Sequence, residues 1–117
     1  MRVLIVDDSR AFRQVAREVL EHRGYTVVGE ADGVSAAIGA AEGLNPDAAL
    51  VDLRLSDGSG YDVAAALTEK HPELAVVLVS ADSSPPSGEL MMKCGARGYV
   101  LKSQLVSTDF EKYWPSP

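Results

Sequence analysis

Disulfides, membrane spans and a basic face are all missing from this chain. Cys94 is its only cysteine among 117 residues, so no intramolecular bridge can form and a reducing compartment is the natural setting. The longest apolar runs fall far short of the roughly 20 residues that span a bilayer. At the N-terminus only Val3-Leu4-Ile5-Val6 precede two aspartates, too little for a signal-peptide core, so the expected location is cytoplasmic with no membrane partner. Eleven lysines and arginines stand against 17 acids, a net charge of -6. A nucleic-acid footprint needs clustered basic residues, so none is expected here. Internal repeats are also lacking.

What remains is ordinary for a globular protein: 46% hydrophobic and 24% charged residues, which sets disordered and fibrous classes aside. The length suits one domain with a real core. Val3 to Val6, Ala48 to Val51 and Ala75 to Val79 are continuously apolar, as strands buried on both faces of a parallel sheet are. Thr26 to Gly29 reads as a shorter strand and Gly98-Tyr99-Val100-Leu101 as a fifth. Between them run helical stripes. Ser9 caps Phe12, Val15, Ala16, Val19 and Leu20, closed by Gly24; Val34, Ala37, Ile38 and Ala41 stop near Gly43; Ser59, with Asp62 for a capping box, opens Val63, Ala64 and Leu67 before Pro72.

This β-α alternation predicts an α/β fold: a three-layer doubly wound five-stranded parallel sheet in the flavodoxin-like order 2-1-3-4-5. The second strand ends in Gly29-Glu30-Ala31 without a site residue, which suits an edge. The fourth helix is expected to be short or disordered, since Asp82-Ser83-Ser84-Pro85-Pro86-Ser87-Gly88 leaves only Glu89 to Cys94 before Gly95. A short fifth helix should open at Ser107 or Thr108, with Glu111 for a capping box. The folded unit is expected over 1–112, and 113–117, with Trp114-Pro115-Ser116-Pro117, reads as a tail or the start of a linker.

Charged residues gather where such a sheet binds ligands, outside the carboxyl ends of its strands. Asp7 and Asp8 follow the first strand, Asp52 the third, Ser80 the fourth and Lys102 the fifth. Three carboxylates and a lysine converging there read as a metal-assisted phosphoryl site.

Asp7-Asp8, Asp52, Ser80-Ala81 and Gly95-Ala96-Arg97-Gly98-Tyr99-Val100-Leu101-Lys102, in this order and spacing, resemble a response regulator receiver domain. That resemblance implies that Asp52 is a phosphoacceptor, taking a phosphoryl group from a sensor histidine kinase or a histidine phosphotransfer protein. It implies Mg²⁺ held by Asp7, Asp8, Asp52 and the main-chain carbonyl of Arg54, a hard cation that relieves mutual repulsion of the carboxylates. Lys102 and Ser80 would contact phosphoryl oxygens, and Ser80 with Tyr99 would switch the surface, by analogy sometimes toward a homodimer. Ala81 is small enough to leave Asp52 accessible.

Ser56 and Ser103 stand where the family usually has proline, which softens two loops. Arg54 and Asp82, each two residues past a site residue on neighbouring strand ends, are placed to pair across the mouth of the site and set access and phosphoryl lifetime. Two other function classes compete. A Mg²⁺-dependent aspartyl-phosphate phosphatase would need a general acid or base, and Arg54 stands where a second aspartate is frequent. A phosphate-independent pseudo-receiver would not need the intact acidic set. The kinase and the signal leave no mark in the residues. For the output, Lys102-Ser103-Gln104-Leu105 resembles receivers that precede a helix-turn-helix domain and leans toward part of a DNA-binding regulator, while the early stop leans toward a single-domain one.

Overall fold

The computed structural model describes residues 1–82 and 86–114. Strands β1 (Arg2–Val6), β2 (Thr26–Ala31), β3 (Ala48–Asp52), β6 (Ala75–Ser80) and β7 (Gly98–Leu101) form one sheet in the order β2-β1-β3-β6-β7, with every pairing parallel. This is the order 2-1-3-4-5 expected above, and β2 lies at an edge. Two further two-residue strands, β4 (Arg54–Leu55) and β5 (Gly58–Ser59), make a small antiparallel ribbon after β3.

Alternation along each buried strand builds two cores. Val3 and Ile5 of β1, Ala48 and Leu50 of β3, and Val77 and Val79 of β6 face one side, where α1 (Arg10–His22) packs through Ala16 and Leu20. Leu4, Val6, Ala49, Val51, Val76 and Leu78 face the other. There α2 (Val34–Leu44), α3 (Gly60–Lys70) and α4 (Gly88–Cys94) contribute Ala37, Ala41, Val63, Leu67 and Cys94. A parallel sheet covered on both faces leaves only its strand ends to solvent, which is where polar residues collect.

Helix starts obey local chemistry. Ser9 accepts from the Phe12 N–H to begin α1, Ser59 and Asp62 form the capping box of α3, and Ser87 caps α4. α4 spans seven residues and ends at Gly95 in the left-handed region, φ 76°, so the shortened fourth helix is found. Ser83, Ser84 and Pro85, which carry most of the expected break, lie outside the described residues, as do residues 115–117 of the expected tail. α2 has no side-chain cap of its own at Gly33. Asp57, in the β4–β5 turn, takes that role from a distance, with Oδ1 accepting from the Val34 N–H (2.8 Å) and Oδ2 from the Ser35 N–H (3.3 Å). Gly33 is required for this approach, because a Cβ there would meet the Asp57 carboxylate.

The C-terminal region differs from expectation. Two 3₁₀ segments, Lys102–Ser107 and Phe110–Lys112, occupy the fifth helical position. Ser107 and Thr108 donate their hydroxyls backward to the Gln104 carbonyl instead of capping, and Asp109 is the cap, accepting from the Glu111 N–H. Packing explains the change. Phe110 and Trp114 stack with centroids 4.8 Å apart, Tyr25 meets both edge-on, and the Trp114 indole donates to the Ala75 carbonyl at 3.0 Å. Trp114 is 2% exposed, so it belongs to the core and not to the tail expected from 113. The adjacent Tyr113 ring lies on Gly98, which has no Cβ to push it away. Arg23 secures the same segment by donating to the Val106 and Thr108 carbonyls while lying over the Phe110 ring.

Two stability measurements test these contacts. Trp114→Ala should cost about 3–5 kcal/mol in urea unfolding, as for other large aromatics removed from cores; Trp114→Phe should cost less, retaining stacking but losing the indole donor, about 1 kcal/mol. Asp57→Ala should lower the urea midpoint. The two backbone donors hold the Asp57 carboxyl below its ordinary range, so its contribution is complete above the unfolded pKa and is lost as pH falls through the depressed folded value. The gap between wild type and Asp57→Ala should therefore be constant near neutrality and close in acid, below about pH 4.

Candidate functional site

The strand order places the carboxyl ends of β1, β3, β6 and β7 side by side, and each delivers a polar residue. Asp7 follows β1 and is fully buried; Asp52 ends β3 and Ser80 ends β6, at 7% and 3% exposure; Asp8 is exposed at the rim. Lys102, the first residue after β7, extends back over the sheet. Its Nζ lies 2.7 Å from Asp7 Oδ2 and 3.3 Å from Asp52 Oδ2, bridging two buried carboxylates.

That bridge leaves carboxylate capacity unused. The Lys102 approach to Asp7 Oδ2 lacks hydrogen-bond alignment, so this buried oxygen has an ionic neighbour and no hydrogen bond, while Asp7 Oδ1 accepts from the Ser9 N–H at 2.8 Å. Carboxylate oxygens of Asp7, Asp8 and Asp52 lie within 4.8 Å of one another. Burial pushes the Asp52 carboxyl above its ordinary pKa and the Asp7 charge adds to this, with Lys102 and the Arg54 N–H opposing. A cluster of hard oxygen donors, crowded, partly dehydrated and short of positive charge, fits a hard divalent cation.

Beside Asp52 is a cleft of about 130 Å³ lined by Asp52, Arg54, Ser80, Ala81, Asp82 and Lys102. This is well below the roughly 300–1,000 Å³ of sites that enclose a drug-sized ligand, and suits a group the size of a phosphoryl. Ala81 contributes only a methyl to its wall. Ser80 Oγ accepts from the Asp82 N–H at 3.0 Å, and the Asp82 carbonyl accepts from the Tyr99 hydroxyl at 3.1 Å, so residues 80, 82 and 99 form one string of hydrogen bonds. Arg54 Nη2 reaches Asp82 Oδ2 at 3.2 Å across the mouth, the pairing anticipated from their offsets. The pair is exposed, Arg54 at 80%, so it contributes only about 0–1 kcal/mol. A larger cleft of about 660 Å³, lined by residues including Met1, Asp47, His71 and Leu74, opens at the amino ends of the strands, away from the acidic set.

Of the residues singled out in the sequence, Asp52, Arg54, Ser80, Ala81, Asp82 and Lys102 line this cleft, Asp7 and Asp8 adjoin it through the acidic cluster, and Tyr99 reaches it through the Asp82 carbonyl. Two others join them unannounced. The Phe12 ring lies 4.2 Å beneath Lys102 Nζ, a cation–π contact of about 0.5–2 kcal/mol depending on desolvation. Arg13 donates to the Asp7 carbonyl at 2.6 Å. In the sequence Phe12 is one of several apolar residues on an α1 stripe and Arg13 one of many surface arginines. Only the fold brings Lys102, from the end of β7, over the start of α1.

Residues 3–108 match the family model for the response regulator receiver domain. Response regulator GacA of Pseudomonas viridiflava is 32% identical over 103 residues, 87% of this chain and 48% of that protein. The photosynthetic apparatus regulatory protein RegA of Rhodobacter capsulatus is 35% identical over 100 residues, 86% of this chain and 54% of that protein. The chain therefore spans about half the length of the curated relatives it matches. Among solved structures, the N-terminal domain of a response regulator/sensory box/GGDEF 3-domain protein from Carboxydothermus hydrogenoformans superposes with a TM-score of 0.78 at 34% identity, covering 88% of this chain and 82% of that one. A two-component response regulator of the LuxR family from Aurantimonas sp. SI85-9A1 gives 0.81 at 27% identity, covering 87% and 74%. With its acidic cluster, its bridging lysine and its strand order, this chain belongs to the response regulator receiver domains.

Proposed function

We propose that the chain is a phosphoacceptor switch in which Asp52 takes a phosphoryl group from a phosphohistidine on a sensor kinase or phosphotransfer protein, or from a small phosphodonor. The observation that carries this reading is the position of Asp52. It is the one carboxylate that both lines the phosphoryl-sized cleft and belongs to the acidic cluster. Its carboxylate oxygen attacks phosphorus, the bond from phosphorus to the donor breaks, and the donor leaves with that bonding pair.

Asp7, Asp8, Asp52 and the Arg54 carbonyl would hold Mg²⁺, which when bound supplies positive charge for the transferring phosphoryl oxygens. Lys102 needs only to exchange its Asp52 contact for a phosphoryl oxygen, one charge-assisted bond for another. Ser80 Oγ, now an acceptor for the Asp82 N–H, has its own proton to donate to another oxygen. If the hydroxyl moves to do so, the string through Asp82 to Tyr99 must rearrange, and this is how the site would reach the surface. Arg54, Asp82 and Ala81, at the mouth, would govern water access and so the lifetime of the aspartyl phosphate. A phosphorylation-dependent homodimer is one form of output through which such a rearranged surface would act. The chain itself turns over only its own phosphoryl group.

Radiolabelled acetyl phosphate should incorporate up to one phosphoryl group per chain, in a Mg²⁺-dependent manner, and Asp52→Asn should abolish it. Continuous hydrolysis of excess phosphodonor by the phosphatase route, or no labelling at all in a folded protein, would overturn the reading. A second measurement uses stability. Because the folded state raises the Asp52 pKa, its ionised form costs stability, and stability should fall as pH rises from the unfolded toward the folded pKa. Asp52→Asn should therefore raise the melting temperature at neutral pH without Mg²⁺. Added Mg²⁺ should narrow the difference by stabilising the wild type more than the variant, which has lost one carboxylate of the set.

A further inference from the structure

The edge strand β2 carries no residue of the acidic set, yet it is connected to that set through α1. Arg17 donates from Nε and Nη2 to Glu30 Oε2 at 3.0 and 2.9 Å, and the other Glu30 oxygen accepts from Arg13 Nε at 3.0 Å. Arg13 Nη1 then donates to the Asp7 main-chain carbonyl at 2.6 Å. The Asp7 N–H is fixed from the same strand, donating to the Ala31 carbonyl at 3.0 Å. We infer that Arg13, oriented by Glu30, is a positioning residue for the metal site: it locks the peptide joining Asp7 to Asp8 and so fixes where both carboxylates point.

The reason lies in what that peptide does. Asp7 and Asp8 are consecutive, so a displacement of the peptide between them shifts both Cα atoms and carries both carboxylates with them. Like charges beside Asp52 favour a displacement that moves them apart. A carbonyl held by a guanidinium cannot be displaced without breaking a charge-assisted bond. Arg13 is the better-buried member of the chain, with its side chain 17% exposed against 30% for Glu30 and 35% for Arg17. Burial alone would raise the Glu30 pKa, but hydrogen bonds from Arg17 and Arg13 outweigh it and hold this carboxyl below its ordinary range. Glu30 thus stays ionised and keeps one end of the Arg13 fork occupied, which leaves the other end directed at Asp7.

The inference rests on the Mg²⁺ reading, and charge separates positioning from simple electrostatics. Arg13 is a cation near a cation site, so on charge alone its removal should tighten Mg²⁺. Positioning requires the reverse. Calorimetric Mg²⁺ titration of the metal-free protein should give Arg13→Met an affinity about tenfold weaker than wild type, at the lower end of effects seen for groups supporting metal ligands. Arg13→Lys keeps the charge and can keep the Glu30 pair, so it should fold like wild type while still binding Mg²⁺ several-fold more weakly. Glu30→Gln should weaken binding in the wild-type background and have no further effect on Arg13→Met. Equal or tighter binding by Arg13→Met, full affinity in Arg13→Lys, or an undiminished Glu30→Gln effect in the double variant would each overturn the positioning role. Absence of saturable Mg²⁺ binding by wild type would remove the metal reading itself, and the inference with it.

Discussion

Two carboxylates buried at adjacent strand ends must share one lysine, and much of the upper edge of this molecule is organised around that shortage of positive charge. Asp7 has essentially no exposed surface, Asp52 very little, and Lys102 Nζ is the only ammonium in contact with both among the described residues. Burying ions is costly unless partners are well placed. The partners are therefore fixed from several directions: Phe12 supports the ammonium from below, the Ser9 N–H occupies one Asp7 oxygen, and the Arg54 N–H approaches Asp52 at 3.4 Å. Even so, one buried Asp7 oxygen is left without a hydrogen bond. The arrangement is held at a charge deficit by the surrounding fold, and a deficit of this kind is what lets an arriving cation or phosphoryl group alter the balance.

The fold holds that deficit by pinning each loop at both ends. The turn after β3 is closed at Asp57, which caps α2, and at Ser59 and Asp62, which cap α3. Gly60 allows α3 to start close against the Asp52 carbonyl, where a Cβ would come within 2.5 Å of that oxygen. The position of Asp52 is thus set by two helix caps and a glycine, all between residues 57 and 62. The loop after β6 has the string of bonds through Asp82 and a shorter helix beyond it.

How much of this could be read from the residues follows from the range of each interaction. Continuous apolar runs and helical stripes are local, and they located all five sheet strands, the caps Ser9 and Ser59 and the brevity of α4. The site was legible because parallel topology turns sequence offsets into neighbours: residues that follow strands must meet at one edge. Contacts with no local pattern were not legible. Asp57 as a cap for α2 acts across 23 residues, Trp114 on Ala75 across 39, and Arg23 on Thr108 across 85. A Trp-Pro sequence has every local sign of a chain leaving its domain, and only the space between Tyr25 and Phe110 shows why the indole turns inward.

That inward turn has a practical side. The chain has one tryptophan, and it is anchored at Ala75, where β6 begins, whereas Ser80 ends the same strand five residues later. At about 3.3 Å per residue the indole and the cleft beside Asp52 stand roughly 16 Å apart along one strand. The only strong fluorophore therefore stands in the C-terminal seam, where it reads the integrity of the packing among Tyr25, Phe110 and the start of β6. An optical signal from this residue follows the folding of that seam.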